Sequence, residues 1–402
     1  MEQTASRNKI LLIAFLCVVS YGTVYVARNL LGTVTPALLN LGYTEEYIGQ
    51  ISSLFFVFYA GGQLVNGFIG DRIKAKYMIT VGLILAGICN IVFPFVIDSL
   101  FSAIAIYGIT GYFLSMIYGP MTKLVAENMD ATSKVRVSVA YGFSSYVGSP
   151  IAGLLATFLI WNDAFSVGGA ALIVMGVTMI ALLARIEKKE GVTYKIGKKE
   201  SGQNRGVGIL IKRDIIRFSL VAILTGIVRT SVLFWLPTYI NQHLSFTPEE
   251  SALAFTVVTA VIAPTALLTA ILFEKIGRNM YKTMLIGFVI SALFFVGAYF
   301  FTSPIVNLVC IVLAIMGNNG SATILWSMYC PSLSDTGMVS TATGFLDCLS
   351  YMAAALANVV FATASITIGW ANLVLVWCTI MIIGAFVSIK RKKKIETEQD
   401  VQ

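Results

Sequence analysis

Charged residues are scarce in this chain of 402 residues, of which 12% are Asp, Glu, Lys or Arg while 57% are hydrophobic. A soluble protein of this length needs more polar surface, so the composition indicates an integral membrane protein. The sequence also has a single histidine, His243, and no nucleotide-binding loop, Ser–His–Asp set or cluster of metal ligands. We therefore expect a protein that is not an enzyme and uses no cofactor and no metal.

The six cysteines give no sign of a disulfide framework. All of them fall within apolar segments or at their ends, without paired spacing. This distribution is typical of cysteines that serve as small apolar residues inside helices.

Apolar stretches of about twenty residues, long enough to cross the hydrocarbon core of a bilayer, recur along the whole chain. They predict an all-α membrane protein with twelve transmembrane helices. The predicted spans are 10–39, 46–70, 77–97, 99–127, 135–160, 164–185, 214–242, 249–273, 280–302, 304–330, 337–366 and 368–389. A polar stretch divides them into two sets of six. We expect an N-terminal half at 1–185, a cytoplasmic linker at 186–213 and a C-terminal half at 214–402 with a short basic tail.

The basic residues predict the orientation of the chain. None of the 28 Lys and Arg residues falls in the loops after the odd-numbered spans, which carry acidic residues instead. By the positive-inside rule both termini are cytoplasmic, and the net charge of +8 follows from this topology. We therefore expect a multi-pass protein of the cell (inner or plasma) membrane, monomeric, with the lipid bilayer and a small molecule as partners and no nucleic acid.

Two arginines occupy matching positions in the two halves. Arg28 and Arg229 are each followed eight residues later by a proline, and then by similar acidic loops, "YTEE" at 43–46 and "FTPEE" at 246–250. The repeat predicts halves related by a pseudo-two-fold axis, with both arginines facing a central cavity near the middle of the membrane.

This pair of arginines favours an anionic substrate. A guanidinium group matches phosphate or carboxylate with paired hydrogen bonds and does not lose its proton. Permanent pairing of each arginine with a buried acid is the alternative, but Asp347 is the one acid predicted at that depth and cannot neutralise both. Arg28 and Arg229 are therefore candidate substrate-binding residues.

Three segments resemble the organophosphate:phosphate antiporters, a family of major facilitators that includes the glycerol phosphate and hexose phosphate carriers. They are "YVARNLLGTVTPALLNLGYTEEYIGQISSLFFVFYAGGQLVNGFIGDR", "IVRTSVLFWLPTYI" and "SDTGMVSTATGFLDCLSYMAAALAN". The hairpin "GFIGDRIKAK" resembles the loop signature between the second and third spans of major facilitators. The resemblance implies the major facilitator fold, with two pseudo-symmetric six-helix halves. It also implies exchange of an organic phosphate for inorganic phosphate by rocker-switch alternating access, with the two arginines on either side of the phosphate.

The same resemblance implies further cavity residues. Five tyrosines fall where cavity tyrosines are expected, although each alone is equally compatible with packing: Tyr21, Tyr25, Tyr59, Tyr141 and Tyr351. Gln63 and Ser145 stand where glycerol phosphate carriers have a lysine and a histidine, and Asp347 stands where a neutral residue is expected. This balance of charge favours a substrate with a cation or several hydroxyls beside its anionic group.

Three charged residues have predicted gating or structural roles. Asp71 and Arg72 resemble the conformational latch on the cytoplasmic face of major facilitators. Lys123 lies near the cytoplasmic end of its span, where it can reach the membrane surface or meet Glu127 one turn on.

Three functions remain open from the sequence: an organic phosphate antiporter, a proton-coupled organic anion symporter with Asp347 as the proton carrier, and a transporter-like ligand sensor. An acid inside the membrane is a functional candidate by default. We expect Asp347 either to pair with Arg229 until the substrate arrives or to contact a cationic group of the substrate. Packing against a neighbouring helix is the third alternative.

Overall fold

A computed structural model describes residues 7–70, 73–194, 210–211, 213–333 and 339–389. These residues form long helices joined by short loops, which confirms the predicted all-α membrane protein. In chain order the helices are α1 (Arg7–Asn40), α2 (Glu45–Gly70), α3 (Ala75–Val96), α4 (Leu100–Asn128), α5 (Ala131–Phe158), α6 (Trp161–Lys189), α7 (Ile215–Leu244), α8 (Pro248–Lys275), α9 (Met280–Phe300), α10 (Pro304–Tyr329), α11 (Val339–Thr367) and α12 (Gly369–Ser388).

The predicted spans lie close to these helices, because apolar length is a local property of the sequence. Within the described ranges, eleven helices are long and apolar enough to cross a membrane. The exception is α5, a 28-residue helix that is not among those eleven. Its first turns carry Lys134 and Arg136, and five serines are spread among its apolar residues.

Three of these helices in the C-terminal half are irregular. A π-helical segment at Ile227–Val232 interrupts α7, and a second one at Ile324–Tyr329 ends α10. The α8 helix is broken between Ile262 and Thr265, where Pro264 cannot donate a backbone hydrogen bond. By contrast, α1 and α4, the helices at the corresponding positions of the first half, are continuous.

The contacts between the two sets of six helices are symmetric. The α2 helix packs along α11, and its counterpart α8 packs along α5, while α1 packs against α7. Exchanging the two halves maps the first contact onto the second, as the predicted pseudo-two-fold axis requires. The division at 186–213 stays a prediction, because most of that stretch lies outside the described residues.

The halves meet closely on one side of the bundle, which we call the acidic side because it carries the loops with Glu45 and Asp98. A Cβ atom on Gly49 of α2 would lie 2.7 Å from the Cβ of Ala362 in α11, so only glycine fits there. Nearby, Gln242 of α7 donates to Glu45 of α2 at 2.6 Å. The opposite end of the bundle, where α1 begins and α6 ends, is called the basic side.

Candidate functional site

Arg28 lies in α1 at the interface between the halves and is 8% exposed. Aromatic rings surround its guanidinium carbon, with centroids at 5.3 Å for Tyr25, 5.1 Å for Phe56, 5.3 Å for Tyr59 and 4.7 Å for Tyr351. Its Nη1 donates a hydrogen bond of 2.9 Å to the hydroxyl of Tyr351, which belongs to the other half. The charge is therefore stabilised by ring faces and one hydroxyl rather than by a carboxylate.

Arg229 lies within the π-helical segment of α7 and reaches the same place from the opposite half. Its guanidinium carbon is 5.7 Å from the ring centroid of Trp326, which lies in the π-helical segment of α10, and 6.0 Å from that of Tyr351. Its Nη2 is buried and has no hydrogen-bond partner among the described residues. A buried charged donor without a partner is costly, so this nitrogen is oriented to receive an acceptor from outside the protein.

The two arginines line one cavity, as the sequence predicts from their matching positions. The ring centroid of Tyr351 is 4.7 Å from the guanidinium carbon of Arg28 and 6.0 Å from that of Arg229, and the separation of the two carbons cannot exceed the sum of these distances. Two fixed cations that line one cavity repel, and an anion between them relieves the repulsion. The geometry can therefore hold a small oxyanion with hydrogen-bond donors from both halves.

Several polar residues of this cavity were missed in the sequence. Asn29 donates through its Nδ2 to the hydroxyl of Ser149 at 3.1 Å, which joins α1 to α5. Tyr146 and Ser149 of α5 and Asn319 of α10 also line the cavity. The sequence did contain a signal for these residues, namely amide side chains within apolar spans. Asn29 is adjacent to Arg28, and Asn319 follows another asparagine in an otherwise apolar span.

Three tyrosines, Tyr21, Tyr118 and Tyr141, form a second layer toward the basic side of the arginines. Tyr21 contacts Tyr25, Tyr118 and Tyr141, with ring centroids at 5.1, 5.4 and 6.0 Å. The Tyr118 and Tyr141 rings are also 6.1 Å apart and nearly perpendicular. Of the predicted cavity tyrosines, Tyr25, Tyr59 and Tyr351 therefore surround Arg28, while Tyr21 and Tyr141 lie in this tyrosine layer.

Asp347 lies one turn before Tyr351 on α11 and is half-buried. Residues four apart share a helix face, so its carboxylate points the same way as Tyr351. The predicted ion pair between Asp347 and Arg229 is wrong for this conformation, because the ion pairs among the described residues join Lys74 and Lys76 to Glu187. The ring of Tyr351 lies against both guanidinium groups instead.

The remaining predicted residues lie on α2, α4 and α5 or outside the described residues. Gln63 is half-buried one turn beyond Tyr59 on α2, and Lys123 is half-buried five residues before the end of α4. Ser145 lies in α5, but its side chain is outside the described part of the chain. Asp71 and Arg72 also lie outside the described residues. The roles predicted for these residues stay predictions.

A helical bundle whose two halves enclose a charged site at mid-membrane depth is the architecture of a secondary transporter. The chain matches the Major Facilitator Superfamily over residues 17–358 and again over residues 219–397. It therefore belongs to the major facilitator superfamily, whose members are transporters rather than enzymes, as the sequence predicts.

Individual relatives are distant. The chain is 22% identical over 256 residues to the glycerol-3-phosphate transporter of Bacillus subtilis (strain 168), a match that spans 58% of each chain. It is 22% identical over 376 residues to the membrane sensor protein UhpC of Escherichia coli (strain K12), covering 88% of this chain and 84% of that protein. These relatives are consistent with the organophosphate:phosphate antiporter family.

A solved structure with the same fold is that of a bacterial homologue of the human lysosomal transporter Spinster, in an inward-facing and occupied conformation. The two structures superpose with a TM-score of 0.79, over 95% of this chain and 97% of that chain, at 14% sequence identity. This similarity confirms the major facilitator fold.

Proposed function

We propose that this protein is a secondary active transporter of phosphate esters that exchanges an organic phosphate for inorganic phosphate. The observation that carries the proposal is the pair of arginines from opposite halves, one of which has a buried Nη2 with no hydrogen-bond partner in the part of the chain that the structure describes. A phosphate group supplies acceptors to both guanidinium forks at once. The similarity to a glycerol-3-phosphate transporter supports the same class of substrate.

The contacts between the halves suggest how exchange is enforced. Among the described residues, the inter-half hydrogen bonds lie at Arg28 or on the acidic side, where Thr256 donates to the carbonyl of Pro150 at 3.2 Å. Rocking of the halves opens these contacts and carries the site to the other face. Without an anion, the halves would have to move with two unneutralised cations in a site of low dielectric constant, so the return step requires phosphate or its ester.

The orientation of the protein is also part of the proposal. The basic residues place both termini in the cytoplasm, so the acidic side faces outward across the cell membrane. The transport unit is a single chain, because both arginines and the cavity come from one copy.

Purified protein in liposomes loaded with radiolabelled phosphate tests this function. External phosphate or glycerol 3-phosphate is expected to release the label without a pH gradient. Arg28→Lys is expected to slow the exchange about tenfold or more, because lysine loses the paired donors. Arg7→Lys, at the exposed basic end of the same helix, is the matched control. Uptake into liposomes without internal anion, driven by a pH step alone, would instead establish the proton-coupled symporter.

A sensor is the second candidate, favoured by the similarity to the membrane sensor protein UhpC over most of both chains. A sensor on this scaffold would bind phosphate esters at the same arginines without needing fast exchange. Binding of glycerol 3-phosphate by the purified protein, combined with no release of label from loaded liposomes, would favour this function over transport.

A further inference from the structure

We propose that the preferred organic substrate is a phosphate ester that also carries an ammonium group, separated from the phosphate by a bridge of two or three carbons. This proposal rests on the proposed function, since it assigns the second end of the same substrate. The phosphate lies between the arginines, and the ammonium lies between Asp347 and the tyrosine layer.

The carboxylate of Asp347 is the first observation. It is half-buried at mid-membrane depth on the face of α11 that carries Tyr351, and no basic side chain contacts it among the described residues. A carboxylate at this depth is costly unless a cation or a proton compensates it. Both arginines are directed instead toward the ring of Tyr351, which leaves the carboxylate available to a cation of the substrate.

The tyrosine layer is the second observation, and it belongs to the opposite half of the protein. Tyr21, Tyr118 and Tyr141 come from α1, α4 and α5, and their rings contact one another at 5.4 to 6.1 Å. Tyr118 is 39% exposed although its ring packs against residues of two neighbouring helices. Tyr21 is one turn before Tyr25 and Asp347 is one turn before Tyr351, and the rings of Tyr25 and Tyr351 both contact Arg28, so the tyrosine layer and the carboxylate lie at a similar depth. Ring faces and a carboxylate at one depth form the chemistry that binds ammonium groups.

The distance along α11 between Asp347 and Tyr351 determines the length of the substrate. Asp347 is one helical turn from Tyr351, whose ring contacts both arginines, and one turn rises about 5.4 Å. A bridge of two or three carbons between phosphate and ammonium spans about that distance. A longer ester would carry its ammonium past Asp347 toward the basic side.

The charge balance of the site favours the same class. Two guanidinium groups and one carboxylate leave a net charge of one positive unit. A phosphate monoester with an ammonium group carries about one negative unit near neutral pH, because the phosphate carries about −1.5 to −2. Inorganic phosphate matches this charge when it binds as its monoanion, so both exchange partners can neutralise the site. A sugar phosphate that binds as its dianion leaves excess negative charge beside Asp347.

Pairs of isosteric esters test the proposal with charge as the one variable. Phosphocholine is compared with 3,3-dimethylbutyl phosphate, and phosphoethanolamine with propyl phosphate, as competitors of labelled phosphate exchange in liposomes. In at least one pair, the ammonium ester is expected to compete at a concentration about tenfold lower than its neutral isostere. A ratio near one in both pairs, with phosphate exchange intact, overturns the proposal and leaves the proposed function standing.

Two variants assign the preference to the residues. In Asp347→Asn the competing concentration of the neutral isostere, divided by that of the ammonium ester, is expected to fall to within about twofold of one. Asp163 is an exposed acid at the start of α6, and Asp163→Asn is expected to keep the wild-type ratio. Tyr118→Leu is expected to reduce the ratio about threefold or more. A ratio retained in Asp347→Asn refutes the assignment.

A second measurement separates this proposal from the proposed function. Stabilisation of the purified protein against thermal unfolding reports binding without transport, because a ligand stabilises the folded state that it binds. If the wild-type protein exchanges no phosphate, the proposed function fails. The ammonium site is then tested by comparing how strongly the ammonium ester and its neutral isostere stabilise the protein against thermal unfolding. Equal stabilisation by the two esters overturns the site.

Discussion

Replacement of Arg229 by lysine gives a direct measure of what its guanidinium group contributes. Its Nη2 is buried and none of the residues that the structure describes accepts a hydrogen bond from it, so a bound phosphate oxygen is expected to accept from this nitrogen and from its neighbour in the same fork. Lysine keeps the charge but offers a single nitrogen that cannot form the paired contact. The variant Arg229→Lys therefore isolates one charge-assisted hydrogen bond.

The expected loss of affinity follows from that one bond. A hydrogen bond to a charged group contributes about 1.5 to 3 kcal/mol. At about 1.4 kcal/mol for each factor of ten, phosphate should bind Arg229→Lys roughly ten to a hundred times more weakly than the wild-type protein. Arg229→Gln also loses the Coulomb attraction, about 4 kcal/mol for charges 4 Å apart at an effective dielectric constant of 20, so its loss should be larger.

Equilibrium binding of radiolabelled phosphate to the purified, monodisperse protein measures this change. Arg217→Lys is the matched control, because Arg217 is on the same helix toward the basic side, with its guanidinium carbon 5.3 Å from the ring of Tyr281. That variant should bind phosphate as the wild-type protein does. Phosphate affinity of Arg229→Lys within about twofold of the wild-type value would refute the two-arginine site, since it would lie below one such hydrogen bond.

Two further predictions concern the contacts between the halves. Tyr351→Phe keeps the ring but removes the acceptor of the 2.9 Å hydrogen bond from Arg28. The equilibrium between the conformations should therefore shift about tenfold away from the one closed on the acidic side, which spin-label distances across that side measure. Gly49→Leu brings its Cβ to 2.7 Å from Ala362, so it should slow phosphate exchange about tenfold or more in loaded liposomes while phosphate binding persists. Gly61→Leu on the same helix, where a Cβ meets no atom within 4 Å, should exchange normally; equal effects of the two leucines would contradict the closure.

The sequence predicts much of the fold because the relevant signals are local. Apolar length fixes the helices, and the repeated context of Arg28 and Arg229 predicts that the two halves bring these residues to one cavity. The π-helical segments around Arg229 and Trp326 could not be predicted in this way, because one extra residue in a turn leaves the apolar pattern almost unchanged.

The position of Asp347 shows where such reasoning stops. Depth along a helix can be counted from the sequence, and this placed Asp347 near the arginines. The rotation of α11 and the side chain that contacts the arginines depend on packing with α2 and α7. In the structure the ring of Tyr351 lies against both guanidinium groups, and the ion pairs among the described residues do not include one between Asp347 and Arg229.

The measurement that tests the account most directly is an experimental structure of the protein with inorganic phosphate bound. We predict phosphate density between the two halves, with the phosphorus atom within about 4.5 Å of the guanidinium carbons of both Arg28 and Arg229. Density at one arginine only, with the other in an ion pair with Asp347, or density outside this cavity, would contradict the account.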